Sequence, residues 1–261
     1  MGVERTAVDI YLVGLGMFEL RHLTVESLEV LKIAKVVYHL SEKHEELIAI
    51  NPNTQDLDRL YSKPGKRVDI YHDLASYVVN TALKTTPIVL AIDGNPMFFS
   101  DISWEIAAIG KKANLHVEAL PGVSCIDVLP MQLGFEPADL GMQVFEATQL
   151  VLYDLAVNPF LSTLILQVGY FWRTVVLPPP KRDAGAFAPL VLHLRKFFPE
   201  DHPAIFVQSA YSERLPTVVF STELATIDEH RNEIKAGMTL YLPRLRVPAI
   251  DPILRKQLDL P

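Results

Sequence analysis

The sequence predicts an α/β protein of two α/β domains, with a mainly parallel sheet in the first and a mixed sheet in the second. Three observations carry this reading. Up to about residue 120, short β-rich runs alternate with helical segments, the order that surrounds parallel strands with crossover helices. Pro87–Ile92 is apolar throughout, as strands covered on both faces of a parallel sheet are. After about Gly134, strand-like runs lie among longer, proline-bearing connections. The expected domains are therefore 1–133 and 134–261.

Each element has a local cause. Asp9–Val13 is β-rich and ends in the turn Gly14-Leu15-Gly16. Thr24 suits the N-cap of a helix from Val25 to about Lys35, with Leu28, Leu31 and Ile33/Ala34 spaced for one buried face. Val36–Leu40 reads as a second strand. Pro64-Gly65 marks a turn, and a helix follows from Arg67 to Lys84 with Ile70, Leu74, Val78 and Ala82 on one stripe. Asp93-Gly94-Asn95-Pro96 then breaks the strand at 87–92, Ser103–Lys112 is helical, and His116–Leu120 is a strand ending at Pro121-Gly122. In the second half, strands are expected at Thr163–Val168, Ala204–Val207, Thr217–Phe220 and Thr239–Leu242.

Composition removes several function classes. A net charge of -7 argues against nucleic acid as the main partner, since affinity there comes from neutralised phosphates. The single cysteine, Cys125, excludes an internal disulfide and a multi-cysteine zinc site. No apolar run is long enough to span a bilayer, and the start lacks the charged and apolar regions of a signal peptide, so no membrane partner and a cytoplasmic location are expected. His39, His44 and His72 form no metal-binding spacing, and no nucleophile elbow or P-loop is present. No metal is expected.

Three turns follow strands: 14–16, 93–96 and 121–125. In an open parallel sheet ligands bind outside the carboxyl ends of the strands, so these turns share one rim. Each also has a purely structural reading. The first lacks the third glycine of a dinucleotide fingerprint, the second is a turn with Phe98 and Phe99 as core, and Ser124 suits a helix cap. Arg67 and Tyr71 stand four apart on one helix face, where a guanidinium would lower the phenol's pKa from about 10. An amphipathic surface helix accounts for the same spacing. Pro178–Pro180 and the aromatics of 169–172 suit either an interface or a packed loop.

Taken in order, these pieces resemble the tetrapyrrole methylases. The resemblance rests on Val13-Gly14-Leu15-Gly16, on Leu23–Leu28 with Ala34–Tyr38, on Asp93-Gly94-Asn95-Pro96 in place of the family's glycine-aspartate-proline, and on Pro121-Gly122-Val123-Ser124. The first loop departs from the porphyrin and precorrin members, having Gly16-Met17-Phe18-Glu19 in place of glycine-proline-glycine-aspartate. Gly94–Phe99 and Val144–Leu150 instead resemble segments of the borosin-type peptide backbone N-methyltransferases, and Tyr61, Arg67 and Tyr71 fall at the spacing of that branch's catalytic tyrosine–arginine–tyrosine set.

The resemblance implies an S-adenosylmethionine-dependent methyltransferase that N-methylates backbone amides of a ribosomal precursor peptide and releases S-adenosylhomocysteine. Tyr61, Arg67 and Tyr71 would be catalytic. Gly14, Asp93, Phe98, Ser124 and Cys125 would hold the cofactor from the first domain, with Gln167, Phe206 and Thr239 completing its site from the second. The chain carries no long Val/Ile/Ala/Gly run after the second domain, so a separate peptide substrate is expected, and a homodimer by resemblance. Methylation of a tetrapyrrole or other small molecule is the competing enzyme reading. A cofactor-binding partner protein without catalysis is the competing class.

Overall fold

The computed structural model describes residues 7–175 and 181–258, so Pro178–Pro180 lie outside the described residues. The chain forms two compact units. Among the described residues, the first comprises 7–134, 174–175 and 209–217, and the second 135–173, 181–208 and 218–258. The segments 174–175 and 209–217 thus lie with the first unit.

In the first unit the strands are β1 (Ile10–Gly14), β2 (Val36–His39), β3 (Thr54–Asp56), β4 (Ile88–Ile92) and β5 (Val117–Leu120). All their pairings are parallel, in the order β3-β2-β4-β1-β5. Successive side chains of a strand point to opposite faces, and β4 uses both. Ile88 and Leu90 join a core with Ile70, Leu74 and Val78, while Val89 and Ala91 join a second core with Val30, Leu31 and Leu47. That double burial is why residues 87–92 read as unbroken apolar sequence.

Helices α1 (Val25–Ile33), α2 (His44–Ile50), α3 (Asp58–Tyr61), α4 (Arg67–Ala82), α5 (Asp101–Lys112) and α6 (Cys125–Leu133) complete the unit. Thr24 caps α1 by accepting the Ser27 N–H. The buried face of α1 differs in part from expectation: Leu31 and Ala34 are buried, but Ser27 and Val30 also point inward and Ile33 is exposed. Asn51 explains how this helix stops, its Nδ2 donating to the Leu31 and Ala34 carbonyls at 2.8 Å each. The expected stripe of α4 is buried throughout.

The second unit is built on β6 (Met142–Glu146), β7 (Ser162–Leu166), β8 (Pro203–Gln208), β9 (Val218–Glu223) and β10 (Thr239–Leu242). Their order is β6-β7-β10-β8-β9, with β6 parallel to β7 and the other pairs antiparallel. Helices α7 (Ala147–Leu152) and α8 (Ala188–Leu194) add to its core, where Phe171, Phe187 and Phe206 are fully buried; α9 (Pro252–Gln257) buries none of its residues. Gly169 is required by packing, since a Cβ there would lie 2.0 Å from the Lys235 carbonyl oxygen.

Candidate active site

Register places the rim. Gly14 pairs with Ile92 and Val13 with Leu120, so the loops after β1, β4 and β5 leave the sheet at one level. They then meet backbone to backbone. Gly16 and Gly94 exchange hydrogen bonds of 3.2 and 3.0 Å, and a Cβ added to Gly94 would lie 3.9 Å from Ser124 Cα. A Cβ on Gly14 would stand 2.6 Å from both Gly122 N and Gly94 O. Gly14 is glycine because other backbone occupies the space a side chain would need. The turns at 14–16, 93–96 and 121–125 form one rim.

Asp93 is the charged centre of that rim. Its side chain is 18% exposed and takes three donors: the Ser41 hydroxyl at 2.9 Å, the Lys43 ammonium, and the Tyr211 hydroxyl. Lys43 is buried and also lies over the Tyr211 ring, 4.5 Å from its centroid. Burial pushes the Asp93 carboxyl above its ordinary range, and Lys43 opposes that shift. An open cavity of about 490 Å³ adjoins the carboxylate and is lined by Ser41, Glu42, Asp56, Asp58 and Tyr211. Sequence reasoning missed Lys43 and Tyr211, which stand 50 and 118 residues from Asp93.

The other expected donor-site residues have distinct settings. Phe98 is half-buried, edge-on to Phe99 at 4.9 Å. Phe99 itself holds φ 58°, a left-handed conformation that disfavours an aromatic residue, and is 40% exposed. Ser124 is buried and forms a capping box with Asp127, whose carboxylate accepts the Ser124 N–H at 2.7 Å and its hydroxyl at 2.9 Å. The structural reading of Ser124 therefore accounts for both groups. Cys125 is half-buried, and burial pushes its thiol up to about 11, so the sulfur is neutral near pH 7.

Three expected residues lie in the second unit. Gln167 follows β7 in a left-handed conformation, φ 54°, and its carbonyl accepts the Tyr170 N–H. Thr239 is buried at the start of β10, opposite Val207. Phe206 lies in β8. Its ring is fully buried and stacks on Phe220 at 4.9 Å, which places it in the core of the second unit.

The catalytic candidates do converge. Tyr61 ends α3 and Tyr71 lies one turn into α4; their rings stack with centroids 6.0 Å apart and planes 15° apart. The Arg67 N–H donates to the Thr174 carbonyl at 2.9 Å, and Lys66 bridges to Val175, so a strand-like return of the chain pins the start of α4. Arg67, Val68, Tyr71, His72, Asp101 and Glu105 line an open cavity of about 490 Å³. His72 pairs with Glu105 at 2.8 Å across it. The expected lowering of the Tyr71 pKa is corrected. Burial, then the neighbouring Tyr61, raise the phenol above its ordinary value, and Arg67 opposes them without prevailing. The low dielectric that strengthens the guanidinium's pull also penalises a phenolate, and here the penalty is larger.

The donor set at the rim suits a zwitterionic organic cofactor. It offers a carboxylate, an aromatic ring, a neutral thiol and loop backbone. Among the described residues no group of three or more His, Cys, Asp or Glu side chains is arranged to hold a metal ion. Among them also, no helix is long and apolar enough to cross a membrane.

An all-parallel sheet with a backbone-packed rim at its strand ends, followed by a mixed five-stranded sheet, defines a two-unit α/β protein with its candidate site on the first sheet. The model of the tetrapyrrole (corrin/porphyrin) methylases matches residues 9–227, and the chain belongs to that family. Within the family it is borosin-like. It is 28% identical over 245 residues to a methyltransferase/ribosomally synthesized type II borosin cyclic peptide precursor of Phlebiopsis gigantea, covering 91% of this chain and 43% of that protein. With a type I counterpart from Mycena rosella it shares 27% identity over 263 residues, covering 97% of this chain and 64% of the relative. The chain thus spans between two-fifths and two-thirds of the length of these relatives. Among solved structures, a uroporphyrin-III C-methyltransferase from Thermus thermophilus complexed with S-adenyl homocysteine has the same fold, with TM-score 0.61, 20% identity, and coverage of 89% of this chain and 96% of the other.

Proposed function

We propose that this chain is an S-adenosylmethionine-dependent methyltransferase that methylates backbone amide nitrogens of a ribosomally made peptide. The observation that carries the reading is the cavity at the start of α4 lined by Arg67 and Tyr71, with the Tyr61 ring stacked on Tyr71. Family membership and the names of the borosin relatives support the methyl-transfer part.

When bound, the donor supplies an electrophilic methyl on a sulfonium sulfur, so the protein's tasks are alignment and exclusion of water. On the first unit, Asp93 would accept a hydrogen bond from a hydroxyl or ammonium of the donor. Phe98 would offer an aromatic face, and the neutral Cys125 thiol would leave the sulfonium without a competing nucleophile. The amide is the harder partner, because its nitrogen lone pair is delocalised into the carbonyl. Tyr71 or Tyr61 takes the amide proton in this reading. Arg67 stabilises the negative charge on the phenolate or on the imidate oxygen, help worth about 3 kcal/mol per well-aimed donor. A phenol with a raised pKa is a stronger base once ionised, which suits a very weak acid such as an amide.

The test is incubation of the chain with isotopically labelled donor and a borosin-type core peptide, read by tandem mass spectrometry. Methyl groups on backbone nitrogens, lost in Tyr71→Phe and Arg67→Ala while donor binding persists, are expected. Labelling of a porphyrinogen in the parallel reaction and not of peptide would replace the peptide reading with the tetrapyrrole one. Labelling of neither, with donor bound, would leave a binding protein.

A further inference from the structure

We infer that Lys43 and Tyr211 are positioning residues for the methyl donor: Lys43 supplies the cation that pairs with the Asp93 carboxylate, Tyr211 orients it through the other oxygen, and together they leave it one open acceptor site. This rests on the donor reading above. A carboxylate offers about four lone-pair sites. Ser41 and Lys43 occupy sites on Oδ1, and Tyr211 occupies one on Oδ2. The remaining site suits one donor hydroxyl or ammonium.

The contacts behind this arrangement come from three parts of the first unit. Lys43 is the residue before α2, 4% exposed, with its charge spent on Asp93 and on the Tyr211 ring. Ser41 is tied to the same turn, its oxygen accepting the Lys43 N–H at 3.3 Å. Tyr211 arrives on the segment 209–217, which is fastened at several points. Its carbonyl accepts the Glu19 N–H at 3.0 Å, its own N–H donates to Leu215, and Glu213 pairs with Arg21. Gln132 adds bonds to Ser209 and Thr217. A segment fastened this way has one ring in the charged centre, and its hydroxyl is aimed at the carboxylate. Local packing does not call for a phenol there; phenylalanine would fill the same volume.

A buried carboxylate stripped of its cation protonates, and a protonated carboxyl is a poorer acceptor. Lys43, Ser41 and the Tyr211 hydroxyl face Asp93, with Glu42 opposing ionisation; His39 lies close enough to interact, and Asp56 and Asp58 stand across the cavity. Lys43 is the only cation among those facing groups. Its removal therefore shifts protonation of Asp93 toward neutral pH.

The experiment measures S-adenosylhomocysteine binding by calorimetry from about pH 6 to about pH 9, bracketing neutral pH, for wild type, Lys43→Met, Lys43→Arg and Tyr211→Phe. The expectation is that Tyr211→Phe weakens binding about tenfold, about 1.4 kcal/mol, without a change in its pH profile. Lys43→Met binds progressively more weakly as pH falls, and Lys43→Arg restores the wild-type profile. Folding of each variant is followed by thermal unfolding, and Tyr211→Phe keeps the test valid if Lys43→Met does not fold. Wild-type affinity and an unchanged profile in Tyr211→Phe and in any folded Lys43→Met would overturn the inference. Failure of the wild type itself to bind S-adenosylhomocysteine would instead overturn the donor reading on which it rests.

Discussion

Gly122→Ala is the sharpest perturbation of the rim. A Cβ at 122 would stand 2.3 Å from the Gly94 carbonyl oxygen and 2.9 Å from Gly14 C and Cα. The first contact is about 1 Å inside ordinary van der Waals distance, and both neighbours are backbone. Neither yields easily, because Gly94 is tied to Gly16 by two hydrogen bonds. Overpacking of this kind costs about 1–3 kcal/mol, and loosening the Gly16–Gly94 pair adds about 1 kcal/mol. A total of about 3 kcal/mol lowers Tm by about 6–12 °C in a unit of this size. The loops after β1, β4 and β5 separate together, so S-adenosylhomocysteine affinity falls as well. Gly134→Ala is the control: φ there is 71°, but nothing lies within 4 Å, so only the left-handed conformation is penalised, by about 1 kcal/mol. Differential scanning calorimetry and titration calorimetry read both effects. A Gly122→Ala protein that melts with the wild type and binds ligand equally well would refute the idea that backbone packing builds the rim.

Three further expectations use other parts of the molecule. Because burial holds the Tyr71 phenol above its ordinary value of about 10, single-turnover amide methylation should keep rising with pH through about pH 9; a plateau already at neutral pH would show that no buried phenol supplies the base. His39 is fully buried with its pKa lowered chiefly by desolvation, so the unfolded chain binds the extra proton first. Its contribution is therefore complete above the unfolded value of about 6.5 and is lost as pH falls below it toward the folded value. Tm should drop in that window and drop less in His39→Asn, whereas equal slopes would acquit His39. Thr24→Ala removes the cap of α1 and should cost about 1 kcal/mol in thermal unfolding, with unchanged ligand affinity.

Comparison of particular elements shows which signals survive in one dimension. The stripe Ile70, Leu74, Val78 and Ala82 is buried because four-residue spacing fixes a helix face regardless of context. In α1, Leu31 and Ala34 are buried as expected, but packing against β1 and α2 turns Ser27 and Val30 inward in place of Leu28 and leaves Ile33 exposed. Residues 54–56 and 142–146 were not expected as strands, since three to five mixed residues carry too little periodicity. The Tyr61–Arg67–Tyr71 spacing was visible, yet its electrostatic consequence was read with the wrong sign, because burial is a property of the packed unit.

By itself the sequence determined the alternation of strands and helices, the doubly covered central strand, and three glycine- or proline-bearing turns at strand ends, because these depend on neighbours within a few residues. Only the tertiary structure decided that Gly14 and Gly122 make room for backbone, that Phe206 is core, and that Lys43 and Tyr211 meet on Asp93. The rim and the Asp93 contacts depend on parallel register and on a late segment folding back onto the first unit, and Phe206 on antiparallel pairing within the second. Contacts made across 50 and 118 residues leave no local pattern, since loop closure constrains their ends and not the sequence between.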